Sequence, residues 1–122
     1  MGLPKAHRLR DRKDYRAVYE QGIRRYSPHL TLIALPPLKD REALIPPTMF
    51  GISISKKVSK KAVIRNRIKR QIKGAIRTYL QSIDPGWKVV IVVKPKAIEC
   101  KYEHFLRELE ELLKQTKIIN GY

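Results

Sequence analysis

Between Glu42 and Asp84 this chain carries no acidic residue. Its 122 residues hold 11 Asp and Glu against 27 Lys and Arg, a formal net charge of +16. That scarcity argues against a self-contained metal nuclease, which clusters carboxylates to hold Mg²⁺. Cysteine is almost absent: Cys100 alone excludes an internal disulfide and a metal cluster built on several thiolates, and it reads as a small hydrophobe near a helix start. The longest apolar run, Val89 to Val93, is far too short to span a membrane. Residues 1–20 lack the apolar core of a secretory signal, so the cytoplasm is the expected compartment. There is no glycine-rich phosphate loop, and His7, His29 and His104 fall in three separate elements with no acid–base spacing. No catalytic residue, protein-bound metal or cofactor is therefore expected.

What the chain has instead is a basic stretch. From Lys56 to Arg77 lie ten Lys or Arg with no Asp or Glu among them. Exposed helices commonly interleave Glu with Lys to gain pairs one turn apart; this one accumulates like charge, which a polyanionic partner explains. The charge is unevenly spread. Residues 1–29 carry eight basic and three acidic residues and residues 84–122 seven and six, so the binding surface should come from the first and middle thirds.

The size fits one domain with a modest core. Residues 1–10 read as a loose basic arm. Asp11, with Asp14 three positions on, suggests a capping box for a helix ending near Gln21, with Gly22 as its stop. Tyr15, Val18 and Tyr19 share one side of it, and Arg12, Lys13 and Arg16 lie elsewhere around it. Ser27-Pro28 marks a turn before a strand over 29–35, and 39–47 reads as a loop. A second strand, 49–55, puts Phe50, Ile52 and Ile54 on one side and Met49, Gly51, Ser53 and Ser55 on the other, a face of small groups that a long partner could approach. A helix beginning near Ser59 or a few residues later follows. Its stripe of Ile64, Ile68, Ile72, Ala75, Ile76, Tyr79 and Ile83, ended by Asp84-Pro85-Gly86, opposes Asn66, Lys69, Arg70, Lys73 and Arg77, while Arg65 and Arg67 occupy the flanks. Strand 87–93 is apolar on both faces and belongs inside a sheet. A last helix over 99–115 covers that sheet, and 117–122 reads as a frayed tail. The order α-β-β-α-β-α indicates a small α+β domain, an α/β sandwich.

Binding of structured RNA is the reading the residues favour. Lys supplies mobile charge, Arg a planar fork for phosphate or base, and Asn66 an amide able to brace the loop or meet a ribose hydroxyl. A strand rather than a helix precedes the basic helix, which counts against a DNA-binding helix-turn-helix.

The segments G51-I-S-I-S-K-K-V58 and A62-V-I-R-N-R-I-K-R70 resemble the signature of the bacterial ribonuclease P protein component family. H7-R-L-R-D-R-K-D-Y-R-A-V-Y-E-Q-G22 and P85-G-W-K-V-V-I-V-V-K-P95 are similar to its flanking parts, so the likeness covers nearly the whole chain. The resemblance implies an accessory subunit of a ribozyme-based endonuclease that removes the 5′ leader of precursor tRNA. In such an enzyme the RNA carries out Mg²⁺-dependent hydrolysis, with one protein per RNA. It also implies an additional short strand and a left-handed β-α-β crossover. Arg65, Asn66, Arg67, Lys69 and Arg70 match the family's RNA-contacting motif, and Lys60, Lys61, Lys73 and Arg77 extend that surface. A cleft between the sheet and the first two helices would hold the leader, with Tyr15 and Tyr19 at its aromatic positions and Arg12, Arg16, Ser53, Ser55, Lys56 and Lys57 around them. Tyr15 stands where phenylalanine is common and Ser59 where glycine is common. The loop before Ala62 is one residue longer than in the shorter family form, so a differently shaped turn is expected there. A ribosomal-type RNA-binding protein without enzymatic role is the alternative.

Overall fold

The computed structural model describes residues 3–37 and 45–119. Its elements are helix α1 (Arg12–Gln21), strands β1 (Ile23–Tyr26), β2 (Leu30–Leu35) and β3 (Met49–Ser53), helix α2 (Ala62–Tyr79), strand β4 (Lys88–Val93) and helix α3 (Tyr102–Gln115). Short 3₁₀ turns cover Lys5–His7, Leu80–Ser82 and Pro95–Glu99. The sheet has the order β1-β2-β4-β3, with β3 and β4 parallel and the other pairs antiparallel.

Alternation in β4 builds the two layers. Val89, Ile91 and Val93 face a core shared with Ile68, Ile72, Ala75 and Ile76 of α2 and Phe105, Leu109, Leu112 and Leu113 of α3. Val90 points the other way, into a smaller cluster with Leu9, Ile33 and Val18 of α1. Because both faces of β4 must be dry, it sits inside the sheet, as its sequence indicates. The parallel β3–β4 pair needs a long crossover, and α2 supplies it.

Several local expectations are corrected. Asp11 makes no capping bond, and Asp14 instead accepts from Lys88 Nζ at 2.8 Å, tying α1 to β4. Gly22 follows the helix with extended backbone (φ −72°), so it does not serve as a left-handed stop. It is needed because a Cβ there would stand 2.5 Å from the Val18 carbonyl oxygen and 2.7 Å from Ile33. Strand β1 arises from I-R-R-Y, which carries no buried face at all; pairing with β2 holds it. The arm expected to be loose is packed over its described part: Leu3 and Leu9 are buried, and Leu9 N–H donates to the Phe50 carbonyl at 2.9 Å. The tail is also docked as far as 119. Lys117 adopts φ 62° after α3, turning buried Ile118 and Ile119 back onto the core, where the Ile118 carbonyl accepts from Asp84 N–H. Most of the loop expected over 39–47 lies outside the described residues.

One buried carboxylate fastens the sheet to α3. Glu108 is 5 % exposed and accepts from Ser27 Oγ at 2.5 Å, from His29 N–H at 2.9 Å, and shares a 2.6 Å bond with His29 Nδ1. Burial alone pushes its carboxyl up, but the bonds from His29 and Ser27 outweigh that and hold it below its ordinary value. A depressed folded pKa contributes stability above the unfolded carboxyl's range, lost as pH falls through the folded value. Urea midpoints should therefore decline on acidification. Glu108→Gln should cost about 1.5–3 kcal/mol near neutrality and flatten part of that acid limb; an unchanged limb would refute the role.

Candidate nucleic-acid interface

The apolar stripe of α2 fixes which of its cations reach solvent. With Ile68, Ile72, Ala75 and Ile76 buried against the sheet, Asn66, Arg67, Arg70 and Arg77 are exposed on the outside. None of the helix's cations forms an ion pair among the described residues. The Asn66 amide likewise has no internal hydrogen bond there, which leaves the loop-bracing role to its neighbour. Arg65 is half-buried and donates from Nη1 to the Ser59 carbonyl at 2.9 Å, so it ties the loop to the first turn of the helix. Arg67 touches the Ile98 carbonyl only at 3.5 Å.

The loop from Ser55 to Lys61 is a brace of short polar bonds around one apolar anchor. Val58 is buried, Ser55 Oγ accepts from Lys57 N–H and Ser59 Oγ from Lys61 N–H, both at 3.2 Å. Lys56, Lys57, Lys60 and Lys61 are all exposed on it. Ser59 has no positive φ, so this turn does not require glycine.

A cleft opens at the outer edge of β3, between α1 on one face of the sheet and α2 on the other. Its volume is about 160 Å³, and Arg8, Tyr15, Gly51, Ile52, Lys69 and Lys73 are among the residues lining it. Lys69 and Lys73 are thus separated from the outer group, half-buried and lining the same cavity as Tyr15. Arg8 and Leu9 of the arm form another wall that was not legible as part of a site. Their only hint in the sequence is Leu9, an apolar residue inside a basic run.

The small-residue face of β3 serves the protein's own Tyr15 first: the Tyr15 ring and hydroxyl occupy the space a Cβ at Gly51 would need. Burial and the neighbouring Tyr19 push the Tyr15 hydroxyl pKa up. Tyr19 is 37 % exposed and outside the cavity lining, as are exposed Arg12 and Arg16. Ser53 is half-buried at the end of β3, and the Ser55 hydroxyl is engaged in the loop. Gly51→Ala must displace the aromatic ring; we expect a loss of about 1–3 kcal/mol in thermal unfolding. Adding Tyr15→Ala to Gly51→Ala should recover part of it, because the two residues share one space. Strictly additive losses would contradict the contact.

A family model described as Ribonuclease P matches residues 3–117 of the chain. The ribonuclease P protein component of Microcystis aeruginosa is 56 % identical, with both chains covered completely. That of Rippkaea orientalis is 55 % identical over all of this chain and 95 % of its own. Among solved structures, the RNase P protein of Staphylococcus aureus superposes with a TM-score of 0.80 at 25 % identity, covering 95 % of this chain and all of the other.

Proposed function

This chain belongs to the ribonuclease P protein family, the protein component of a ribonucleoprotein endonuclease acting on precursor tRNA, and from that premise we propose how its two basic surfaces divide the work. The outer face of α2, with Asn66, Arg67, Arg70 and Arg77 and the loop lysines Lys60 and Lys61, docks on the catalytic RNA. Arg65 shapes that surface from the loop side and offers its remaining donors to the same partner. The cleft at β3 takes the single-stranded 5′ leader, with Tyr15 in its lining and exposed Tyr19 outside it as the two aromatic contacts. Lys69 and Lys73 meet the leader's phosphates from the α2 side, and Lys56 and Lys57 stand beside its path.

The observation that carries this division is that α2's cations form no ion pair among the described residues. A helix that leaves its arginines without carboxylate partners suits a phosphate surface, where each neutralised phosphate releases counterions. Their separation by depth, exposed arginines outside and half-buried lysines in the cleft, supports two RNA segments rather than one.

The protein contributes no reacting group in this reading. It screens repulsion between catalytic RNA and substrate, and orients the leader so that the scissile bond is held at the RNA's active site. Mg²⁺, which supplies the Lewis acid and the activated water in such hydrolysis, belongs with the RNA; residues 43–83 of this chain offer it no carboxylate. The complex holds one protein per RNA and works in the cytoplasm, without a membrane.

End-mapped cleavage of labelled precursor tRNA at low Mg²⁺ tests the reading in three arms: protein alone, RNA alone, and both. Correct 5′ processing that needs or is strongly accelerated by both together is expected. If the protein changes nothing, generic RNA binding of the ribosomal type is the better account. Cleavage by protein alone would mean a nuclease site in the chain itself.

A further inference from the structure

On the α3 side of the molecule, away from β3's cleft, three different metal-ligating groups converge. One donor atom from each of His29, Cys100 and Glu108 lies within 4.8 Å of the other two. They come from the residue just before β2, the residue that ends the 3₁₀ turn two positions before α3, and the middle of α3. Nothing in sequence spacing joins them, because His29 is distant in the chain and arrives only through the β2–β4 pairing.

We propose that His29, Cys100 and Glu108 form a site for a single zinc-class divalent cation, with the fourth position left to water. A sulfur, an imidazole nitrogen and a carboxylate oxygen make a borderline-soft set that suits Zn²⁺ and does not suit Mg²⁺, which prefers oxygen alone. The donors are already gathered and partly dry: Cys100 is 8 % and Glu108 5 % exposed. The His29 side chain, at 26 % exposure, lies on the solvent side and gives the ion a way in.

The hydrogen-bond network orients the set in advance. Ser27 Oγ and His29 N–H hold one carboxylate oxygen of Glu108, leaving the other toward His29 Nδ1 at 2.6 Å. Ligand atoms about 2.0–2.1 Å from a tetrahedral ion stand roughly 3.3 Å apart, so His29 and Glu108 need to part by only a fraction of an ångström. The proton between them gives way to the cation. The thiol is the group that changes most. Burial, with the charges of Glu108 and Glu99, pushes the Cys100 thiol up; a bound dication would offset both effects, and coordination would be by the thiolate. His104 is not counted as a ligand. Its Nδ1 accepts the Lys101 N–H at 2.9 Å, capping α3, and its ring stands edge-on to His29 at 6.4 Å.

Such an ion would cross-link the Ser27–His29 turn, the segment before α3, and α3 itself. Its effect is on the rigidity of the side of the sheet remote from β3, and it holds whether or not the division of RNA surfaces above is correct.

The test uses the untagged full chain titrated with Zn²⁺ by calorimetry, and with Co²⁺ as the spectroscopic probe. One ion per chain, a thiolate-to-cobalt charge-transfer band, and a rise in Tm with Zn²⁺ but not Mg²⁺ are expected. Cys100→Ser should abolish the band, and it and His29→Gln should each weaken Zn²⁺ by about tenfold or more. His7→Gln, remote from the cluster, should change nothing. Bound Co²⁺ without a thiolate band in the unmutated protein overturns the site regardless of how any variant folds. So does wild-type zinc affinity in Cys100→Ser.

Discussion

Replacing Asn66, Arg67, Arg70 and Arg77 together with alanine is expected to weaken association with the catalytic RNA by about 10³–10⁶-fold at physiological salt, the three lost charged contacts supplying most of it. Hydrogen bonds to charged groups contribute about 1.5–3 kcal/mol each, and each factor of ten in affinity corresponds to about 1.4 kcal/mol. The fold should be untouched: the four side chains are exposed on α2, Arg67's 3.5 Å approach to Ile98 is the one internal hydrogen bond made by any of their side chains among the described residues, and alanine favours helix. Circular dichroism melts would verify that before any binding is measured. The salt dependence separates charge from shape. Losing three phosphate contacts should lower the slope of log affinity against log salt by about 2–3, whereas Asn66→Ala alone should weaken binding at an almost constant slope. Equal affinity and slope in the quadruple variant would remove α2 as the docking face. Arg65 is left out deliberately: its bond to the Ser59 carbonyl means that Arg65→Ala disturbs the loop as well as a contact.

How much of this was readable beforehand depends on whether periodicity or tertiary approach decides a residue's place. The long amphipathic pattern of α2 and the doubly apolar β4 are local properties; β4 stands where its sequence indicates, and α2 does too except that it ends at Tyr79, leaving Ile83 in extended backbone after a 3₁₀ turn. The α+β architecture followed from their order. Strand β1 was invisible to pattern because I-R-R-Y buries no face; it exists by pairing alone, and only the family resemblance implied an extra strand. Over their described residues the arm and tail are packed rather than loose for one reason: a few isolated apolar residues, Leu3 and Leu9 in one and Ile118 and Ile119 in the other, meet a waiting hydrophobic surface. Asp14 shows the same override. Its local role at a helix start loses to a distant lysine. Within the site, composition identified the basic surface but could not sort it by depth. Lys69 follows buried Ile68, and both Lys69 and Lys73 flank buried Ile72, so they sit on the border of the apolar stripe, where they line the cleft beside β3.

That sorting makes the two tyrosines, Tyr15 in the cleft's lining and Tyr19 outside it, the sharper test of leader binding. Tyr19→Ala should weaken precursor tRNA by about 1–3 kcal/mol, the range for an aromatic ring stacked on a base, and leave mature tRNA bound as before. Tyr19 is the cleaner site because it is part-exposed, so its removal leaves no cavity. Tyr15 carries two roles at once. Its ring fills the space over Gly51, so Tyr15→Ala removes packing as well as a stacking surface and should lower Tm, whereas Tyr15→Phe keeps the ring and isolates the hydroxyl. If the ring is what the leader needs, Tyr15→Phe should bind precursor nearly as well as the unmutated chain, and Tyr15→Ala should lose discrimination between precursor and mature tRNA. Lengthening the leader one nucleotide at a time then gives the reach of the cleft. Affinity should climb until the added nucleotides have passed both rings and then level off, with the plateau arriving at lower affinity in Tyr19→Ala. A loss shared equally by precursor and mature tRNA would instead assign these tyrosines to the fold or to the body of the tRNA, and the leader would have to bind elsewhere on the basic surface.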